Sequence, residues 1–91
     1  MFCEIEGINI HYERVGQGRP VLVLHGWGAD IEAVRPIMNC ISGLGYEAVA
    51  MDFPGFGQTP EPPEPWGVPE YAALTRKFIE TVGLRGCDLI C

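Results

Sequence analysis

Two short stretches hold most of the residues in this chain whose types and spacing could do chemistry. The first is His25-Gly26-Trp27-Gly28, which directly follows the apolar run Val21-Leu22-Val23-Leu24. The second, about 25 residues on, is Asp52-Phe53-Pro54-Gly55-Phe56-Gly57, following Glu47-Ala48-Val49-Ala50-Met51. A β-prone run that stops abruptly at glycines leaves a turn where main-chain N–H groups can come close to a bound atom. The chemistry implied is recognition of a ligand by backbone amides, with side chains shaping the turn.

Other reactive residue types are sparse. Ser42 is the only serine, lies in a helical stretch and has no base beside it in the sequence. His11 falls on the polar side of an alternating strand and reads as a solvated imidazole. Cys3, Cys40, Cys87 and Cys91 are scattered without metal-ligand spacing, so no metal site is expected and the thiols read as reduced. As a nucleophile, Cys91 would need a base and a lowered pKa, which nothing near it offers.

The elements that must position the two stretches follow from periodicity. Phe2 to Ile5 and Ile8 to Val15 read as short strands joined by a tight hairpin at Glu6-Gly7. Ile8, Ile10 and Tyr12 alternate with polar residues, which gives one wet face. Val21–Leu24 reads as a strand buried on both faces. Val34, Ile37, Met38, Ile41 and Leu44 recur at helical spacing, with Asp30 as N-cap and Gly45 as C′ residue. Pro36 either opens the main part of that helix or kinks it. Glu47–Met51 is the next strand, and the βαβ unit makes it parallel to Val21–Leu24. The proline-dense stretch from Thr59 to Pro69 reads as an extended surface connector. A second helix is expected from about Pro69 to Val82, closed by Gly83, and Cys87–Cys91 opens a third parallel strand. The order is that of an α/β sandwich with a parallel core and an antiparallel hairpin at one edge.

The 91 residues bound a single domain, and 47% apolar content fits a globular one. Six basic against twelve acidic residues give a net charge of −6 without a basic cluster, which argues against nucleic acid or an anionic membrane as a partner. No targeting segment and no apolar run of membrane-spanning length is visible, so a cytoplasmic setting is expected.

Two readings of the glycine turn compete. A dinucleotide-binding βαβ unit needs G-x-G-x-x-G and an acid at the tip of the next strand. Here the third glycine position is Ile31, a histidine precedes the first glycine, and Asp52 runs straight into Phe-Pro-Gly. That match is weak. The alternative accounts for both stretches at once. A buried strand ending in His-Gly-x-Gly and the next ending in Asp-x-Pro-Gly-x-Gly resemble the N-terminal third of an α/β-hydrolase, and the resemblance covers essentially the whole chain.

The resemblance implies a hydrolase using a Ser-His-Asp triad on an ester, amide, epoxide or related bond, without a cofactor. It assigns the backbone N–H of Trp27 to the oxyanion hole, where it would stabilise the negative charge that acyl transfer builds on a carbonyl oxygen. His25, Gly26, Gly28, Asp52, Gly55 and Gly57 become loop-shaping residues, with Asp52 holding its own loop through main-chain N–H groups. Trp27's indole either lines the substrate pocket or packs, and Phe53 and Phe56 face either pocket or core. The family's nucleophile sits in G-x-S-x-G after the third parallel strand, so aligning Asp88–Ile90 with that strand places the serine about two residues past Cys91. The expectation is an N-terminal segment, truncated before the nucleophile and inactive alone, with a small-molecule substrate only once completed. An open sheet edge at the last strand is expected to favour self-association. The alternative function is a non-catalytic product or a small interaction module.

Overall fold

Glu6 and Gly7 take φ values of 51° and 80°, the left-handed pair that a two-residue hairpin needs. They fold β1 (Phe2–Ile5) back on β2 (Ile8–Gly16), with Ile5 opposite Ile8 and Phe2 opposite His11. The chain then runs through β3 (Arg19–Val23), α1 (Ile31–Gly43), β4 (Tyr46–Met51), α2 (Val68–Thr81) and β5 (Asp88–Ile90). The structure is a computed structural model and describes residues 1–25, 29–62, 64–84 and 87–90.

The five strands form one sheet in the order β1-β2-β4-β3-β5. β2 joins β4 antiparallel, while β3 runs parallel to β4 on one side and to β5 on the other. This is the mixed α/β architecture expected from the element order. Because strand side chains alternate, β3 and β4 split their residues between two helical layers. Val21, Val23, Ala48 and Ala50 pack under Ile31, Val34, Met38 and Ile41 of α1. Leu22, Val49 and Met51 face the other way, joining Ile5, Ile8, Ile10, Leu84 and the α2 residues Leu74 and Phe78.

Two details of α1 differ from the sequence reading. Asp30 sits at the N-cap with extended backbone, but its side chain makes no capping bond. Pro36 lies inside one continuous helix rather than opening it, so it removes one internal hydrogen bond without ending the element. α2 begins at Val68, with Pro69 in its first turn and the Glu70 carboxylate accepting from the Gly67 N–H at 3.0 Å. Among the described residues, no helix is long and apolar enough to cross a membrane.

Candidate functional site

β3 and β4 are parallel neighbours in the register Val23↔Ala50, so the loops that leave their C-terminal ends emerge side by side. His25, from the first loop, is 7% exposed. Its Nε2 accepts a hydrogen bond from the Phe53 N–H at 3.1 Å, so that nitrogen's lone pair is already used. The ring stands edge-on to Phe53 and Phe56, with centroid distances of 4.9 and 5.5 Å. A histidine held this way orients backbone, and that nitrogen is not free to take a proton from a nucleophile.

Asp52 organises the second loop. Its side chain is buried, and its carboxylate accepts from three donors. Oδ1 takes the Ile31 N–H at 2.8 Å, while Oδ2 takes the Gln58 N–H at 3.0 Å and His11 Nδ1–H at 2.7 Å. The Asp52 carboxylate therefore occupies the capping position at α1 that Asp30 leaves empty. Thr59 closes the network, its hydroxyl donating to the Asp52 carbonyl at 2.7 Å and accepting from the His11 N–H at 2.9 Å. A carboxylate engaged this fully and shielded from solvent is not presented to a ribose hydroxyl, which removes the acid that the dinucleotide reading needs.

Gly57 is required by this arrangement. Its φ is +54°, and a Cβ there would lie 2.4–2.5 Å from Cγ, Oδ1 and Oδ2 of Asp52. Gly55 also has positive φ, but a Cβ would meet only Glu61 Cγ at 3.7 Å. Its N–H donates to the Pro60 carbonyl at 3.0 Å. Gly26, Trp27 and Gly28 lie outside the described residues, and with them the orientation of the Trp27 amide.

His11 corrects the sequence reading. It is 6% exposed rather than solvated, and it pairs with an acid 41 residues away. β4 pairs with β2 from Tyr12 onward, and the loop leaving β4 carries Asp52 and Thr59 over the histidine. The strand face that looks polar in sequence is thus covered by a loop. On its other side, His11 Nε2 lies 3.8 Å from a Glu13 carboxylate oxygen. Glu13 in turn accepts two hydrogen bonds from the Arg35 guanidinium of α1, at 2.7 and 2.9 Å. Those bonds hold the Glu13 carboxyl below the usual carboxylate range, and the two acids Glu13 and Glu32 raise the Arg35 pKa further.

An open cavity of about 280 Å³ lies beside His25, bounded by Phe53 and Phe56 from the second loop and by Val68, Tyr71, Ala72 and Thr75 of α2. Its walls are almost wholly apolar, and its size is near the lower end for small-molecule sites. Phe53 and Phe56 therefore both face this cavity. Tyr71 contributes ring surface, while its hydroxyl donates to the Pro54 carbonyl at 3.2 Å.

Neither Ser42 nor Cys3 joins this cluster. The Ser42 hydroxyl donates to the Asn39 carbonyl within α1. Burial pushes the Cys3 thiol up, away from thiolate character. Cys91 lies outside the described residues. Among the described residues, no group of three or more His, Cys, Asp or Glu side chains could hold a metal ion.

A sequence profile of the alpha/beta hydrolase fold matches residues 19–89. The chain belongs to the alpha/beta hydrolase fold family. It is 42% identical over 53 residues to a pimeloyl-(acyl-carrier protein) methyl ester esterase of Legionella pneumophila, a match covering 58% of this chain and 22% of the esterase. It is also 42% identical over 59 residues to epoxide hydrolase 2 of Siraitia grosvenorii, covering 65% of this chain and 19% of that enzyme. Among solved structures, an epoxide hydrolase from Vigna radiata matches with a TM-score of 0.90 at 28% identity, over 98% of this chain and 30% of its own. An esterase from Exiguobacterium antarcticum gives 0.86 at 27%, over 93% and 32%. The chain thus spans between 19% and 32% of the length of these relatives. The family match covers β3 through β5 and includes both glycine-bearing loops.

Proposed function

We propose that this chain supplies the oxyanion-hole loop of a hydrolase acting on esters or related electrophilic bonds, with the Trp27 N–H as one donor. The observation that carries the reading is the tie between the two loops. The Phe53 N–H donates to His25, and the Asp52 carboxylate accepts from Ile31, so residues 25 and 31 are fixed on either side of the glycine turn. Anchors at residues 25 and 31 suit a segment whose amide must be ready for a charge that appears only in the transition state, which is where such a donor acts. The esterases and epoxide hydrolases among the relatives support the reaction class. The apolar cavity beside His25 supports a small hydrophobic acyl or alkyl group on the substrate. The Ser-His-Asp triad of this reading comes from residues other than the ones described, and neither His25 nor Asp52 belongs to it.

The test is a chimera in which this chain replaces the matching 32% of the Exiguobacterium antarcticum esterase, assayed with p-nitrophenyl acetate and butyrate. Saturable hydrolysis by the chimera supports the proposal. A chimera that melts cooperatively but hydrolyses neither ester contradicts it.

A second reading rests on β5. Among the described residues it pairs only with β3, and Leu89 and Ile90 are 54% and 37% exposed. An open apolar edge favours strand pairing between chains, so this reading is self-association through β5. Sedimentation equilibrium of the 91-residue chain tests it, and a monomer at all concentrations counts against it.

A further inference from the structure

Residues 25 and 31 are each tied to the loop that follows β4, and both ties lead to adjacent residues of that loop. The Phe53 N–H holds His25 Nε2, and Asp52 Oδ1 holds the Ile31 N–H. Whatever fixes residues 52 and 53 therefore fixes residues 25 and 31. His11 makes three contacts that do so. Its Nδ1–H donates to Asp52 Oδ2 at 2.7 Å, its carbonyl accepts from the Asp52 N–H at 2.8 Å, and its own N–H donates to the Thr59 hydroxyl that bonds the Asp52 carbonyl. The imidazole is buried, so the bond to Asp52 is shielded from competing water. His11 also stands between the two carboxylates that grip α1. Asp52 caps the helix at Ile31, and Glu13, 3.8 Å from Nε2, holds Arg35 one turn further along.

We infer that His11 is a positioning residue: a strand side chain that sets Asp52 and, through Asp52 and its neighbour Phe53, the anchors at Ile31 and His25. The inference rests on the reading of the glycine turn as an oxyanion hole. The two main-chain contacts of His11 remain available to phenylalanine and asparagine, so the side chain's share rests on the Nδ1 donor alone. Asparagine places an amide N–H close to where Nδ1 lies and can replace that donor. Phenylalanine keeps the ring but has no donor.

The experiment is amide hydrogen exchange on the ¹⁵N-labelled full chain as wild type, His11→Phe and His11→Asn. Loss of one hydrogen bond to a charged acceptor lowers protection at the Ile31 and Phe53 amides by about tenfold or more. The expected result is that loss in His11→Phe, beyond any change at the Phe78 amide of α2, with His11→Asn restoring most of it. Protection that falls uniformly across the chain, or that stays unchanged at Ile31 and Phe53, overturns the inference. Should His11→Phe not fold, the wild-type imidazole still decides. A long-range ¹H–¹⁵N spectrum must show Nδ1 carrying the proton, and a bare Nδ1 overturns it. No substrate enters these measurements, so an inactive chimera refutes the hydrolase reading without altering them, and unchanged amides refute the role of His11 without altering that reading.

Discussion

Gly57→Ala separates backbone strain from damage to the Asp52 network, because Gly55→Ala supplies the control. Both glycines have positive φ, +54° and +89°, so either alanine adopts a left-handed conformation at a cost of about 1–2 kcal/mol. At Gly55 nothing further happens, since the new Cβ makes only an ordinary contact at 3.7 Å. At Gly57 the Cβ would lie about 1 Å inside normal contact with all three carboxylate atoms of Asp52, so the carboxylate must move. Moving it weakens at least one of its bonds to His11, Ile31 and Gln58, each worth about 1.5–3 kcal/mol as a hydrogen bond to a charged group. Gly57→Ala is therefore expected to cost about 2.5–5 kcal/mol, roughly 1.5–3 more than Gly55→Ala. Urea unfolding followed by far-UV circular dichroism reads the difference directly as a shift in midpoint at unchanged slope. In a thermal melt it corresponds to a Tm gap of about 6–24 °C between the two variants. Equal losses in the two variants would refute the reasoning, because they would mean that the carboxylate has room to yield.

Three further outcomes follow from the same contacts. His25→Phe keeps the ring but leaves the Phe53 N–H without its acceptor, which costs about 1–3 kcal/mol in a thermal melt, and His25→Gln recovers most of the loss. Thr59→Val is nearly isosteric but removes the hydroxyl between His11 and Asp52, costing about 1–3 kcal/mol by urea unfolding, whereas Thr59→Ser retains most of the stability. The Glu13 pKa is lowered in the folded chain by Arg35, so its contribution is fully present above the ordinary value of 4.5 and is lost as pH falls through the folded value. Glu13→Gln should therefore be less stable than wild type at pH 7, with the gap narrowing as pH falls below 4.5, in melts across that range.

The architecture was legible because local patterns and the global fold agree. The Val21–Leu24 run, the apolar spacing of α1 and the hairpin signal at Glu6-Gly7 each specify an element through their own periodicity or turn geometry. The loop ends were legible for a different reason, since glycines mark places where backbone must bend or come close. What stayed hidden depends on contacts between distant segments. His11 reads as exposed because alternation along one strand says nothing of a loop that later covers it. Asp30 reads as the cap of α1 because it stands in the right place, yet the bond goes to a carboxylate 21 residues away in sequence from Ile31. Pro36 reads as either opening or kinking the helix, but packing of Ile31, Val34, Met38 and Ile41 on the sheet outweighs one missing hydrogen bond.

The most direct test of the central claim is to remove the amide hydrogen at position 27. In the chimera with the Exiguobacterium antarcticum esterase, Trp27→Pro deletes the N–H at position 27, and Trp27→Ala keeps it while removing the indole. The account predicts a loss in kcat of about 10²–10³ for Trp27→Pro relative to Trp27→Ala, with KM for p-nitrophenyl butyrate little changed. Equal kcat values in the two folded variants would contradict it.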